Sequence, residues 1–324
     1  MASHRQAGYR LSWEQVPSYV RRAVEATLGD AVVDAHTQDG GFSPGAAARV
    51  RLANGGRAFV KALSAELHTN SVGLYRTEAA TMPHLPKGLP VPRLLDVYDD
   101  GTWIALVYED INGRQPDLPW RLDELERVAA VLTDLGTALS PSPWPEGPGF
   151  LEANRGFLGA WAALAASPPP NLEPLMRRHL DRVAAEVPDL AEVLCGEALL
   201  HNDIRSDNLL LTPVGDVVVI DWGGCCTGGA PWLDSMFFAL TVNEDGGGDA
   251  DVLVRDHPLM RDLPPSWIDA ILMAAMATRW WQAQLPDDTA MPGMREYQRR
   301  SAAAALTWVR RRAEAYACEP RRQR

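Results

Sequence analysis

A chain of 324 residues is too long for one small core, and its length predicts two packed lobes. Hydrophobic residues make up 46% and charged residues 23%, ordinary proportions for a globular protein in water. The net charge of −11, from 31 basic against 42 acidic residues, argues against a nucleic-acid partner. It would suit a cationic ligand, without saying where such a ligand binds. No stretch approaches the roughly 20 apolar residues that cross a bilayer. Met1 to Trp13 is polar and lacks the apolar run of a signal peptide, so a cytoplasmic protein with no membrane partner is expected. Cys195, Cys225, Cys226 and Cys318 show no C-x-x-C spacing and read as free thiols of a reducing compartment.

Residues 12–28 carry an apolar stripe (Val16, Tyr19, Val20, Ala23, Val24, Leu28), which predicts a helix capped by Ser12 and ended by Gly29. A β-rich run follows, broken by the Gly-Pro-rich loop 39–45 and then by Asn54-Gly55-Gly56, a hairpin signal. Two strands are expected around that turn, within 46–63, with another before the loop. A helical stretch near 65–82 contains Glu78, and two further strands, PRLLDVYDD and TWIALVYED, flank Asp100-Gly101. The polar, turn-rich segment 109–118 marks a lobe boundary, giving lobes of 1–108 and 119–324 with a hinge between them. Beyond it helices are expected at 121–139, 150–166 and 171–187, separated by proline-rich breaks. A loop and two short apolar strands occupy 199–221. Helices resume near 232, at 266–285 and at 293–316. The arginines 310–312 and 321–324 read as a solvated helix end.

Chemistry concentrates in HNDIRSDNLLLTPVGDVVVIDWGG, which holds His201-x-Asp203-x-x-x-x-Asn208, a hairpin, and Asp221-Trp222-Gly223. The first string matches the kinase catalytic-loop pattern and the second resembles the metal-binding D-F-G, with Trp for Phe. Phosphoryl transfer needs a nucleophile held in line and charge dispersed from the phosphate oxygens. A carboxylate beside the incoming hydroxyl can orient it and take its proton, the role expected of Asp203. Mg²⁺ takes hard oxygen ligands, one or two of them carboxylates, and Asn208 and Asp221 offer such oxygens from the two ends of a hairpin. His201 is read as a packing and hydrogen-bonding support for the loop.

These residues resemble the aminoglycoside phosphotransferase family of small-molecule kinases, with similarity over about residues 30–240. The resemblance implies an α+β, bilobal protein-kinase-like fold: an N-terminal antiparallel-sheet lobe with one main helix, and a larger, mostly helical C-terminal lobe. It implies ATP or GTP as phosphoryl donor, Mg²⁺, and a small-molecule hydroxyl as acceptor, on a monomer or weak homodimer. Asp234 matches the family's later acidic residue, which braces the catalytic loop; a helix cap is the plainer reading.

The N-terminal half offers a check on this. A kinase should project a lysine from its third strand toward the α- and β-phosphates, held by a helix acid. Only Lys61 and Lys87 are lysines in this arginine-rich chain, and Lys61 follows the hairpin turn. Glu78 is the preferred partner, with Glu66 the competitor. The loop from Asp39 to Gly45 has neither G-x-G-x-x-G nor a Walker sequence, yet its backbone amides or Ser43 could meet phosphate. After LVYEDINGR, backbone groups at Glu109 and Ile111 are the expected contacts of the nucleotide base. The acceptor pocket should lie between the catalytic loop and the C-terminal helices. The acidic stretch 243–251 could attract a polyamine or be a solvated loop, and Trp280 and Trp281 are expected to pack in the core. The first reading is an antibiotic kinase acting on an aminoglycoside or related compound; the alternative is a metabolic kinase of the same fold for a small alcohol such as choline, homoserine or a sugar. A nucleotide-binding protein without catalysis is disfavoured by the presence of Lys61, Asp203, Asn208 and Asp221 together.

Overall fold

A computed structural model describes residues 10–38 and 43–318 of the chain. The sheet lobe contains α1 (Ser18–Leu28), β1 (Val32–Thr37), β2 (Ala46–Leu52), β3 (Arg57–Ser64), α2 (Thr69–Thr81), β4 (Leu94–Asp99) and β5 (Trp103–Glu109). All five strands are antiparallel neighbours in the order β1-β2-β3-β5-β4. The first helix begins later than its apolar stripe predicts. Pro17 has no N–H to donate and sits before the first turn, so Trp13–Gln15 forms a separate single turn. Ser12 therefore serves that turn, and Gly29 ends α1 in the left-handed region at φ 74°.

Strand alternation divides the sheet between two helices. On β3, Ala58, Val60 and Ala62 join Ala105 and Val107 of β5 in a core under α1 with Val20 and Val24. The other face of the same strands presents Leu63, Ile104, Leu106 and Tyr108 to Val72 and Tyr75 of α2. Lys61 is paired with Leu106 and shares its face, so the register itself aims the lysine at α2.

The helical lobe follows with α3 (Leu122–Ala138), α4 (Phe150–Ala153), α5 (Arg155–Ala166), α6 (Pro174–Glu186), α7 (Leu190–Leu194), β6 (Cys195–Leu200), β7 (Leu209–Leu211), β8 (Val217–Val219), β9 (Cys226–Gly229), α8 (Leu233–Asp245), α9 (Ala250–Asp256), α10 (Pro265–Gln282) and α11 (Met294–Cys318). Its main core gathers Trp161, Met236, Ile271 and Trp308 from α5, α8, α10 and α11. A second core packs the β7–β8 hairpin and Trp222 against Val128 and Leu132 of α3. The structure thus has the expected α+β, two-lobed architecture, and the helical lobe carries two small two-stranded ladders, β6–β9 and β7–β8.

Two expectations are corrected here. Trp280 and Trp281 are 63% and 60% exposed and do not pack in the core. The residues of α10 from Ile268 to Ala274 are buried, but its last turn runs past that core into solvent. The acidic stretch 243–251 is neither one loop nor a free patch. Its first residues finish α8, and Asp249 caps α9. Asp251 pairs with Arg312 and accepts from Trp308 Nε1 at 2.9 Å. Among the described residues no helix is long and apolar enough to cross a membrane.

Candidate active site

The two lobes meet at a charged junction. Lys61 Nζ, on β3, lies 2.5 Å from Glu78 Oε2 on α2 and 2.8 Å from Asp221 Oδ1, which the helical lobe supplies. Glu78, rather than Glu66, is the partner because it faces the sheet one helical turn after Tyr75. The Tyr75 ring lies 4.8 Å from Lys61 Nζ. Tyr108 Oη donates to Glu78 Oε1 at 2.9 Å, so both oxygens of this buried carboxylate are engaged. Burial disfavours the Lys61 ammonium, but Asp221 and Glu78 outweigh it and raise its pKa well above the ordinary lysine value. Burial pushes Glu78 upward, with Lys61 opposing. For Asp221 burial pulls upward, yet the Lys61 charge and hydrogen bond hold the carboxyl at about 2. Asp221 is therefore an anion throughout the neutral range, with 49% of its side chain open to solvent.

Asp221 sits in the left-handed region at φ 68°, an uncommon conformation for a residue with a side chain. The turn after it lies against α2. A Cβ added to Gly223 would stand 2.9 Å from the Leu74 carbonyl oxygen, so only glycine fits this contact. Thr81 Oγ1 and Cys225 Sγ, 2.7 Å apart, fasten the same two segments. Burial raises the Cys225 thiol to about 11.

The catalytic-loop candidate is braced from below. Half-buried Asp234, on α8, accepts the backbone N–H of His201 at 2.7 Å and of Asn202 at 2.8 Å. Burial raises its pKa, opposed by His201 and by these two bonds. The buried His201 ring lies edge-on to Trp222, shares a 2.9 Å hydrogen bond with the Ile220 carbonyl through Nε2, and accepts the Asp203 N–H at Nδ1. Asn202 takes φ 63°, turning the chain so that Asp203 projects from it. Asn208 Nδ2 donates to the Asp203 carbonyl at 2.8 Å and to Oδ2 at 3.2 Å. Both bonds use the nitrogen end of the amide, which leaves the Asn208 oxygen and the second Asp221 oxygen as hard donors. That pair has the chemistry Mg²⁺ takes from proteins.

Ser43 Oγ lies 3.3 Å from the Tyr75 hydroxyl, so the end of the glycine-rich loop reaches the residue that packs on Lys61. Residues 39–42 of that loop lie outside the described residues. In the segment between the lobes, Glu109 is fixed by Arg93: its N–H donates to the Arg93 carbonyl at 3.1 Å and its Oε1 accepts the Arg93 N–H at 2.8 Å. The Ile111 carbonyl accepts Arg49 Nη2 at 2.8 Å and the Gly113 N–H at 2.9 Å.

Asp203 and Asn202 line one side of a cavity of about 260 Å³ between the catalytic loop, the α4–α5 corner, α8, α10 and α11. This is where an acceptor pocket is expected. Of the acidic stretch 243–251, Glu244 alone lines it, joined by Arg205, Arg279 and Tyr297. Tyr75, Tyr108, Arg205 and Arg279 were not singled out by the sequence motifs. Only Tyr108 carried a usable signal, since its two-residue spacing from Leu106 places it on the Lys61 face.

Comparisons with known proteins bear on the fold. The choline kinase LicA from Streptococcus pneumoniae is 15% identical, over 90% of this chain and 100% of that one, with a TM-score of 0.58. The aminoglycoside phosphotransferase from Alicyclobacillus acidocaldarius is 17% identical, over 90% and 96%, with a TM-score of 0.54. A type I macrolide 2′-phosphotransferase is 14% identical, over 92% and 98%, with a TM-score of 0.56. At these identities the likeness is one of fold. No curated protein matches the chain in sequence. The phosphotransferase enzyme family model matches residues 40–257, a span that holds every candidate site residue from Ser43 to Asp234, and the chain belongs to that family.

Proposed function

We propose that the protein transfers the γ-phosphoryl group of ATP, or GTP, to a hydroxyl of a small molecule held in the cavity beside Asp203. In this reading residues 1–108 hold the nucleotide, 109–118 form the hinge near its base, and 119–324 provide catalysis and the acceptor site. The observation that carries it is the position of Asp203. Its carboxylate, 40% exposed, lines the cavity while Asn208 fixes it from behind. An acceptor hydroxyl reaching that carboxylate would be oriented and would give up its proton there. Lys61, already a cation held by Glu78, is available to the phosphates. Asp221 and Asn208 would hold Mg²⁺, which when bound neutralises charge on the phosphate oxygens. His201 and Asp234 position the loop and touch no reactant. A cytoplasmic location is part of the same proposal.

Retention of Lys61, Asp203, Asn208 and Asp221 together disfavours a nucleotide-binding protein without catalysis. Between an antibiotic kinase and a metabolic small-alcohol kinase, Arg279 favours the second where the alcohol carries an acidic group, as homoserine does, because a guanidinium with no carboxylate partner among the described residues repels an amine, a polyamine and choline alike. The test is nucleotide diphosphate release with Mg²⁺ over a panel of hydroxylated acceptors, with Asp203→Asn as the blank. We expect acceptor-dependent release that falls at least about 100-fold in the variant, with nucleotide affinity retained. Full activity of Asp203→Asn would remove the base assignment, and failure to bind nucleotide would overturn the proposal as a whole.

A further inference from the structure

The cavity also carries information about the charge of its ligand, and this inference rests on the phosphotransferase reading only in taking the cavity as the acceptor site. Arg205 and Arg279 both line it and both lie over the buried Tyr297 ring, their guanidinium carbons 5.9 and 5.6 Å from its centroid. Their situations differ. Arg205 is already gripped by Asp207 through two bonds of 3.1 Å, with Asp203 3.8 Å away. Arg279 makes one side-chain hydrogen bond, from Nη1 to Gln282 Oε1 at 3.2 Å. Among the described residues it has no ion pair with a carboxylate. The acids of the lining are Asp203 and Glu244, and Asp207 beside them already engages Arg205, so the cation of this lining with no carboxylate partner among the described residues is Arg279. The lining also has apolar members, Leu240, Phe157 and Phe237, the last two packed edge to face at 6.0 Å.

We propose that Arg279 recognises an acidic group on the acceptor, so that the substrate is a small hydroxy acid with an apolar body. A guanidinium presents a planar fork of donors that matches a carboxylate in two parallel bonds. It repels an ammonium placed at the same point. Leu240, Phe157 and Phe237 offer apolar contact to the rest of such a molecule, and a cavity of about 260 Å³ suits a small one. Tyr297 holds the Arg279 fork from below and limits the freedom that binding would remove.

The test is calorimetric titration of the protein, with Mg²⁺ and a non-hydrolysable ATP analogue, by three probes that keep one hydroxyl and one phenyl group. These are 3-phenyllactate (anionic), its methyl ester (neutral) and phenylalaninol (cationic), with spectinomycin as a larger amine. Phenyllactate is expected to bind about 10- to 100-fold more tightly than its ester, the range of a charge-assisted pair, and the two amines more weakly still. Arg279→Gln should erase the difference between acid and ester, and Arg279→Lys should keep part of it. Absent or equal binding of phenyllactate, preference for an amine, or a preference that survives Arg279→Gln would each overturn the assignment. Titration with the ATP analogue alone separates the two ideas. Retained nucleotide binding with no acid preference sinks only the substrate class, whereas loss of nucleotide binding counts against phosphotransfer itself.

Discussion

Lys61 and Asp221 stand 160 residues apart in the chain and meet at 2.8 Å, one from each lobe. A buried ammonium at this point serves two acids at once, since Glu78 takes its other side at 2.5 Å. The pair makes the sheet lobe and the metal-ligand candidate a single electrostatic unit, and a change on either side is felt on the other.

Lys61→Met separates the structural from the functional part of that unit. It leaves Glu78, whose side chain is 3% exposed, with only the Tyr108 hydroxyl, and an uncompensated buried carboxylate costs about 3 kcal/mol or more. The melting temperature should therefore fall along with activity, the latter by about 100-fold or more. Lys61→Met combined with Glu78→Gln removes the stranded charge, so the melting temperature should recover while turnover stays low. Thermal melts and kcat/KM of both variants check this. Turnover returning with stability would make Lys61 a purely structural residue.

Asp234→Asn tests the brace under the catalytic loop. The carboxylate accepts two backbone N–H groups, one on each oxygen. An amide can accept only one and turns a donor toward the other. A buried donor without an acceptor costs roughly 1–3 kcal/mol. The loop would be displaced rather than dismantled, so kcat should fall about 10-fold or more with KM for the nucleotide near normal. A rise in nucleotide KM at constant kcat would show that Asp234 supports the nucleotide site instead.

The residues most legible in the sequence were those whose chemistry and local spacing name them together: His201, Asp203, Asn208 and Asp221 lie on one short loop and hairpin. Lys61 and Glu78 were legible because the hairpin turn and helical spacing are both local rules, whereas the register Lys61↔Leu106 joins strands far apart in the chain and comes from the folded sheet alone. Arg279 and Tyr297 were not. They belong to α10 and α11, whose contact depends on how two helices pack, and no short-range pattern encodes that. Trp280 and Trp281 failed for a related reason. Because α10 is apolar on most of its circumference, periodicity could not say where the covering core would stop. The short strands β6 and β9 were missed because each lies in a run too brief and too glycine-rich to stand out, and they exist by pairing with each other.

The helical lobe has an ion cluster of its own, and its pH response is predictable. Asp269, on α10 and 3% exposed, accepts a hydrogen bond from Arg312 of α11 through Oδ1. Its Oδ2 accepts Arg182 of α6 at 3.0 Å and lies 3.4 Å from His179 Nε2. Burial pulls its pKa upward, but the neighbouring His179 and the Arg312 charge and hydrogen bond prevail and hold it below the usual carboxylate value. A lowered folded-state pKa stabilises the fold above the unfolded value of about 3.9, and the benefit is lost as pH falls through the folded value. Asp269→Asn should therefore lower the unfolding free energy by a constant amount from pH 9 to pH 5, on the order of 3 kcal/mol for a broken buried pair, with a matching fall in melting temperature. Below about pH 4 the gap between variant and parent should narrow as the parent's own carboxylate takes up a proton. Melts across this range check the sign. A gap that widens in acid would mean that the carboxylate is protonated in the native state at neutral pH, and that the arginines at this junction answer to Asp251 and Glu186 instead.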